Sequence, residues 1–189
     1  MKTSQSLVAI SAAAFALASM GADSCGTETK STPDKPGSDK QPTKAKAKSS
    51  SVGDVITLKG REDGSKVAVR LVKIIDPVSA GEFDQQTSGS RYIGVQVRLS
   101  NQGTTTYNDS PSNSATLIVS GDEQAESASL SISGGECGGK FASSAKISPG
   151  TKQTGCLPFE AKRSKKPRRF QFTLNSGLGP ETGEWTIRP

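Results

Sequence analysis

Six cations lie within eight consecutive residues near the C-terminal end of the chain, and they form its densest group of side chains capable of recognising a ligand. They are Lys162, Arg163, Lys165, Lys166, Arg168 and Arg169. Two interpretations are open: the run binds a polyanion, or it is a solvated turn whose charges discourage pairing between sheet edges. Aromatic residues are not interleaved with the cations, which argues against nucleic acid as the partner.

Catalytic and metal-binding chemistry finds little support in the sequence. The chain contains no histidine, which removes His-based triads, imidazole bases and histidine metal ligands. The acidic residues are scattered without the spacing of a calcium loop, and Asp76-Pro77 is typical of a turn. The glycine-rich segment 134–139 is followed by no predicted helix that would complete a phosphate loop. We therefore predict a non-enzymatic protein without a cofactor or a metal.

The three cysteines divide into Cys25, after an apolar N-terminal run, and the pair Cys137 and Cys156 in the C-terminal region. In an exported protein an even pair favours a disulfide. A Cys137–Cys156 bridge would close a loop of about 20 residues and stabilise the fold by about 3 kcal/mol. Cys25 is then left for lipidation, for a free thiol, or for loss with a cleaved leader.

The first 24 residues have the pattern of a signal peptide, because Lys2 supplies a positive charge and residues 7–20 form an apolar run. That run is too short for a transmembrane span. Lipoprotein processing would cut before Cys25, whereas a peptidase selecting small residues would cut after Ala22 or near Ala18. The acidic Asp23 departs from the usual lipobox. We predict lipidation at Cys25 and an extracytoplasmic protein anchored to the cell membrane, with secretion as the alternative.

Residues 25–52 combine Ser, Thr, Lys, Pro, Asp and Gly without periodicity. Such a composition is typical of disordered segments, because it buries too little apolar surface to offset the entropy of ordering. We interpret the segment as a flexible tether with an excess of lysine over acidic residues. Those lysines either attract anionic lipid or wall polymer, or they keep a linker solvated.

The remaining residues, 53–189, form a series of predicted strands, because apolar and polar residues alternate with a period of two. The clearest strand is 91–99, in which every second residue from Ile93 to Leu99 is apolar. In Lys66–Ile75 the alternation changes phase at Val72, which suggests a bulge or fuller burial. The other predicted strands are Val55–Lys59, 116–119, 127–133, 155–160, 168–174 and 184–188.

Turn signals separate these strands, and no segment carries an apolar stripe of helical period. Seven or eight short antiparallel strands imply two packed sheets, so we predict an all-β, immunoglobulin-like sandwich over residues 53–189. Trp185 follows both cysteines instead of lying between them, and we interpret it as a core or rim residue of the last strand. The basic run then falls in a hairpin loop between strands 155–160 and 168–174.

Several stretches of the predicted sandwich point to a known family. They are VGDVITL (52–58), VRLVKIIDP (69–77), YIGVQVRLSNQG (92–103), SPSN (110–113), SPG (148–150) and GCLPFE (155–160). Together they resemble actinobacterial lipoproteins that carry the DUF4352 domain, over essentially all of residues 52–188. The resemblance implies a small immunoglobulin-like sandwich on an extracytoplasmic tether, similar in fold to the secreted mycobacterial immunoprotective antigen. It implies no particular activity.

These observations favour a surface lipoprotein that acts as a binding module. Its partner would be an anionic envelope polymer or an envelope protein, contacted through residues 162–169, because headgroups and phosphate-bearing polymers occur in that compartment. The alternative is a structural or accessory subunit of an envelope complex that binds by pairing at a sheet edge.

Overall fold

The computed structural model describes residues 48–79, 81–82, 84–131, 137 and 139–188. The regular elements in this part of the chain are twelve β-strands. They are β1 (Lys48–Ser51), β2 (Val55–Lys59), β3 (Lys66–Ile75), β4 (Ser90–Asn101), β5 (Tyr107–Asp109), β6 (Ala115–Val119), β7 (Glu123–Gln124), β8 (Glu126–Ser127), β9 (Ala145–Ile147), β10 (Lys152–Lys162), β11 (Pro167–Thr173) and β12 (Thr182–Thr186). The predicted signal peptide 1–24, Cys25 and the tether as far as residue 47 lie outside the described residues.

Ten of the strands form two five-stranded sheets, and the other two, β5 and β9, form a small ribbon. The first sheet has the order β1-β12-β11-β6-β7, and the second has the order β2-β3-β4-β10-β8. Neighbouring strands are antiparallel except β1 and β12, which run parallel. The prediction of an all-β fold built from packed sheets is confirmed.

The two sheets bury their alternating apolar residues against each other. Every second residue of β4 from Ile93 to Leu99 is fully buried, as the period-two pattern predicts. In the first sheet the rings of Phe170 and Trp185 pack with their centroids 5.7 Å apart. The indole Nε1 of Trp185 donates to the backbone oxygen of Asp54 at 3.1 Å. Trp185 is therefore a core residue of the last strand, as the sequence indicates.

The phase change in β3 is a β-bulge at Val72. Leu71 pairs with Val97 and Lys73 pairs with the next residue along β4, so Val72 is the extra residue. Beyond the bulge, Ile74 packs against the core between the sheets, whereas Ile75 belongs to a separate apolar cluster with the two cysteines. The bulge therefore changes which residues of β3 face inward.

One predicted strand is largely wrong. Of the described residues in the predicted segment 127–133, only Ser127 lies in a strand, at the end of β8, and residues 128–131 are irregular. The Ser131 amide donates to the Asp84 carboxylate at 3.0 Å, while Leu130 is buried. Leu130 is therefore buried although its segment pairs with no strand, so the alternation of apolar and polar residues did not indicate a strand here. Residues 132 and 133 lie outside the described residues.

The folded domain begins earlier than the predicted boundary at residue 53. β1 belongs to the predicted tether, yet it pairs with β12. The Lys48 ammonium donates to the Thr57 backbone oxygen at 2.9 Å and to the Glu181 carboxylate at 3.0 Å. The sequence Lys-Ser-Ser-Ser has no apolar alternation, so only its neighbour in the fold defines this strand.

The edges of both sheets are short. β1 has four residues, β7 and β8 have two each, and β2 has five. The chain passes directly from β1 to β2 at one side of the sandwich, and from β7 to β8 through Ala125 at the other. The Lys59 amide of β2 also donates to the Glu181 carboxylate at 2.8 Å. Short edge strands leave few free backbone groups for pairing with another chain.

Candidate functional site

The predicted basic run, residues 162–169, is a connection between the two sheets, and we call it the basic connection. β10 ends at Lys162 in the second sheet, and β11 begins at Pro167 in the first. The prediction of a hairpin loop is therefore wrong, because β10 and β11 do not pair. β10 pairs with β4 and β8, whereas β11 pairs with β6 and β12, so the four residues between them must cross from sheet to sheet.

One guanidinium group holds the turn of the basic connection. Arg91 donates from Nη1 to the Lys162 carbonyl at 2.7 Å and from Nη2 to the Lys165 carbonyl at 2.8 Å. It also binds both carboxylate oxygens of Asp76, at 2.5 and 2.7 Å. The hydrogen bond with Asp76 raises the pKa of Arg91, and partial burial opposes that effect. Sequence reasoning missed this pair, because Arg91 was visible only as the start of a strand and Asp76 only as a turn residue.

Backbone hydrogen bonds fix the rest of the connection to residues directly beside strands β4, β6 and β12. The Arg163 amide donates to the Gly89 carbonyl at 3.0 Å, and the Ser120 amide donates to the Lys166 carbonyl at 2.8 Å. The Ile187 amide donates to the Arg168 carbonyl at 2.8 Å. The connection therefore presents its side chains from a defined backbone.

Two of the six cations are neutralised by ion pairs. Lys165 contacts Glu123 at 2.5 Å, and Arg169 contacts Asp122 at 2.9 Å and Glu184 at 3.4 Å. The hydrogen bond from Lys165 lowers the pKa of Glu123 below its ordinary value, and the Lys165 and Lys162 charges act in the same direction. Such exposed pairs contribute little to stability, but they remove charge from the surface available to a ligand.

Four of the six cations are exposed without a carboxylate partner in the described part of the chain, and three of these four also make no side-chain hydrogen bond there. In the part of the chain that the structure describes, Lys162, Lys166 and Arg168 have no carboxylate within ion-pairing distance. Arg163 is also exposed, and its Nε donates to the Ser90 carbonyl at 3.1 Å. Four of the six cations are therefore available to an anion, and one of these four, Arg163, is held in part by a backbone carbonyl.

A cleft of about 280 Å³ opens beside the connection, where β7 and β8 meet β10. Lys162 and Lys165 line it together with Glu123, Glu126 and Glu160. Because acidic residues outnumber basic ones there, the cleft is unsuited to an anion. Lys162 lies at the edge of the cleft, whereas Arg163, Lys166 and Arg168 do not line it.

The disulfide joins Cys137 and Cys156, as predicted, with 5.3 Å between their Cα atoms. It lies on the outer face of the second sheet, packed with Ile75 and Val78. Gly94 lies beneath it, and a Cβ at that position would come within 2.6 Å of the Cys137 sulfur. A close approach of this kind requires glycine. The sequence gives no sign of this requirement, because Gly94 simply occupies an outward position of a strand.

Metal-binding geometry is missing from the described ranges. No group of three or more Cys, Asp or Glu side chains there could hold a metal ion. That part of the chain also contains no helix of the length and apolarity needed to cross a bilayer.

The DUF4352 family, described as a domain of unknown function, matches residues 61–181. The chain belongs to this family. The match contains both cysteines of the disulfide and the whole basic connection, and the family resemblance of the sequence is confirmed. No curated protein matches this DUF4352 chain.

Two solved structures show the same fold as this DUF4352 domain. MPT63, a secreted protein of Mycobacterium tuberculosis, is 12% identical with a TM-score of 0.53, and the match covers 76% of this chain and 99% of MPT63. YcdA, a candidate lipoprotein of Bacillus subtilis, is 17% identical with a TM-score of 0.51, over 70% of this chain. The DUF4352 chain spans 39% of that protein's length. At these identities the likeness shows the β-sandwich alone.

Proposed function

We propose that this DUF4352 chain is a non-enzymatic, extracytoplasmic binding module that holds an anionic envelope polymer at the basic connection. The observation that carries the proposal is the group of three exposed cations, Lys162, Lys166 and Arg168, on a backbone fixed by Arg91. Cations on an ordered backbone need not lose main-chain entropy when they bind, which favours association.

The extracytoplasmic location is supported by three features. The first 24 residues have the pattern of a signal peptide, and the disulfide fits an oxidising compartment. The similar structures include a secreted protein and a candidate lipoprotein. We propose that lipidation of Cys25 anchors the chain to the membrane, and mass spectrometry of the mature N-terminus tests this. A diacylglycerol-modified Cys25 supports anchoring, whereas an unmodified terminus at Asp23 contradicts it.

Binding by edge pairing is the alternative function, and the described edges weigh against it. A strand added to a sheet gains affinity from a row of main-chain hydrogen bonds. β7 and β8 offer two residues each, and β2 has its Lys59 amide already bonded to Glu181. We therefore place polymer binding first.

The test uses a phosphodiester polymer, poly(glycerol phosphate), and the variant Lys162→Gln/Lys166→Gln/Arg168→Gln. These three residues make no ion pair within the described ranges, so the variant should keep its fold. Three phosphate contacts predict that the wild-type dissociation constant rises about 20-fold between roughly 50 and 200 mM salt. The triple variant should bind weakly and lose most of this salt dependence.

The matched control is Lys73→Gln/Lys140→Gln/Lys146→Gln, which removes the same charge at exposed lysines outside the connection. It should bind the polymer like the wild type. Equal affinity of the two triple variants would overturn the proposal, because binding would then reflect net charge alone. Polymer binding by the wild type that does not weaken with salt would also overturn the proposal, since contacts between charges are screened.

A further inference from the structure

A second cationic surface lies on the outer face of the second sheet, at the opposite end of β10 from the basic connection. A groove of about 240 Å³ crosses this face, and Arg70, Arg98 and Lys152 line it together with Ser100, Ala68 and Val55. The three cations come from three different strands, β3, β4 and β10. We call this surface the outer-face groove.

The strand register brings the three cations together. Arg70 is the direct cross-strand partner of Arg98, and Lys152 is the partner of Ser100, two residues further along β4. Their strand neighbours Val69 and Leu99 are fully buried between the sheets, so alternation directs the cations to the outer face. Side chains at directly opposed positions have Cβ atoms about 5 Å apart.

This arrangement is unfavourable without an anion. Like charges directly opposite each other destabilise a sheet. Within the described ranges no carboxylate forms an ion pair with Arg70, Arg98 or Lys152. The Arg98 Nε donates to the Thr154 hydroxyl at 3.1 Å, which orients the guanidinium beside the groove.

Asp54 is the carboxylate on which the Arg70 charge acts, and it already accepts hydrogen bonds from other groups. Its carboxylate accepts hydrogen bonds from the Ser51 amide at 2.9 Å and from the Ser50 hydroxyl at 2.7 Å. These bonds, with a smaller contribution from the Arg70 charge, lower the pKa of Asp54. Asp54 therefore reduces the positive potential at one end of the groove but does not pair with its cations.

We propose that the outer-face groove binds the phosphate group of a small phosphorylated ligand. Two guanidinium forks and an ammonium match the several terminal oxygens and the charge of a phosphate better than the two oxygens of a carboxylate. Val55 is 48% exposed at the groove, so carbon attached to the phosphate can lie against it. A bound phosphate would also relieve the repulsion between Arg70 and Arg98.

The groove is separate from the surface in the proposed function. Thr154 precedes Lys162 by eight residues on the same strand, a distance of about 27 Å at the rise of an extended chain. Substitutions in one surface therefore leave the other intact, and failure of one proposal does not decide the other.

The test measures binding of inorganic phosphate to the full chain by calorimetry at constant ionic strength. The wild type should bind phosphate more tightly than acetate, and Arg70→Gln/Arg98→Gln should weaken phosphate binding by at least tenfold. The control Lys140→Gln/Lys146→Gln, which removes the same charge outside the groove, should bind like the wild type. The basic-connection triple variant should also retain phosphate binding.

Two measurements keep the result interpretable. Without phosphate, Arg70→Gln/Arg98→Gln should melt at or above the wild-type temperature, because a like-charged pair is removed, so weak binding cannot be ascribed to unfolding. Glycerol 3-phosphate and phosphatidylglycerol vesicles then distinguish a soluble ester from a lipid headgroup. Binding of either that depends on Arg70 and Arg98 supports the proposal. Equal phosphate affinity in the groove variant and the wild type, or no binding to the wild type, overturns it.

Discussion

The basic connection and the outer-face groove are two cationic surfaces of this domain, and they are built in opposite ways. The connection takes six cations from eight consecutive residues, and carboxylates of the described chain pair with two of them. The groove takes three cations from three strands, and none of them forms an ion pair within the described ranges.

The difference shows that charge density along a sequence is a poor measure of charge available to a ligand. Folding brought carboxylates from β7, β12 and the turn before β7 next to the connection. It also placed two arginines from separate strands opposite each other in the groove. Both results follow from strand register, which brings together residues that are distant in the chain.

The largest expected effect concerns the residue that holds the connection. Arg91→Ala removes the partner of Asp76 and the donors to the Lys162 and Lys165 carbonyls, so we expect a loss of about 3 kcal/mol in the free energy of unfolding. Urea denaturation measures it. The control Arg163→Ala, which loses one side-chain hydrogen bond at an exposed site, should cost less than about 1 kcal/mol. Equal losses of unfolding free energy in the two variants would show that Arg91 does not anchor the connection.

Removal of the disulfide tests the stability of the outer face of the second sheet, where the groove lies, because the disulfide crosslinks the chain on that same face. Cys137 and Cys156 are 19 residues apart, and Cys137→Ala/Cys156→Ala should lower the free energy of unfolding by about 3 kcal/mol. Poly(glycerol phosphate) affinity at the connection should stay unchanged in the folded variant. An unfolding midpoint in urea equal to that of the wild type would contradict the expected contribution.

Double-mutant cycles give the sharpest contrast between the two surfaces. Substitution of Arg70 and Arg98 by Gln, singly and together, should reveal an unfavourable coupling of about 0.5 kcal/mol. The same cycle on Lys165 and Glu123 should give a favourable coupling, because those charges are opposite and in contact. Both couplings should shrink with added salt. If the two couplings had the same sign, the two surfaces would not differ in the way their charges interact.

The smallest expected effect is in the acid titration of Glu123. Its pKa in the folded protein lies below the unfolded value, so the pair with Lys165 contributes stability above the unfolded pKa. That contribution is lost as the pH falls through the folded pKa. In Lys165→Gln the Glu123 pKa, followed by NMR, should return towards its ordinary value of about 4.3. An unchanged pKa would show that the contact does not persist in solution.

The sequence predicted the main strands well because their alternation is strong. β2, β3, β4, β10, β11 and β12 all overlap the predicted segments, and the bulge at Val72 was visible as a change of phase. The short strands β1, β5, β7 and β9 were missed because segments of two to four residues are too short to show a period. The strand expected over 127–133 failed because burial of Leu130 satisfies the same pattern without sheet pairing.

The sequence revealed the basic residues of the connection. It did not reveal which carboxylates pair with them or which of them remain exposed. Asp122 and Glu184 precede and follow Arg169 by 47 and 15 residues, and only the packing of the strands shows that both reach it. The groove was missed for the same reason, since Arg70, Arg98 and Lys152 are widely spaced single cations in strands with otherwise ordinary patterns.

By itself the sequence determined the all-β composition and the inward face of each long strand, and it favoured a disulfide between the two C-terminal cysteines. These properties depend on the local alternation of residues and on the small number of cysteines. The tertiary structure alone decided the crossing of the basic connection between sheets, the anchoring of that connection by Arg91 and Asp76, and the meeting of Arg70 with Arg98. Those features depend on which strands become neighbours and in what register, and many registers are compatible with the same alternation.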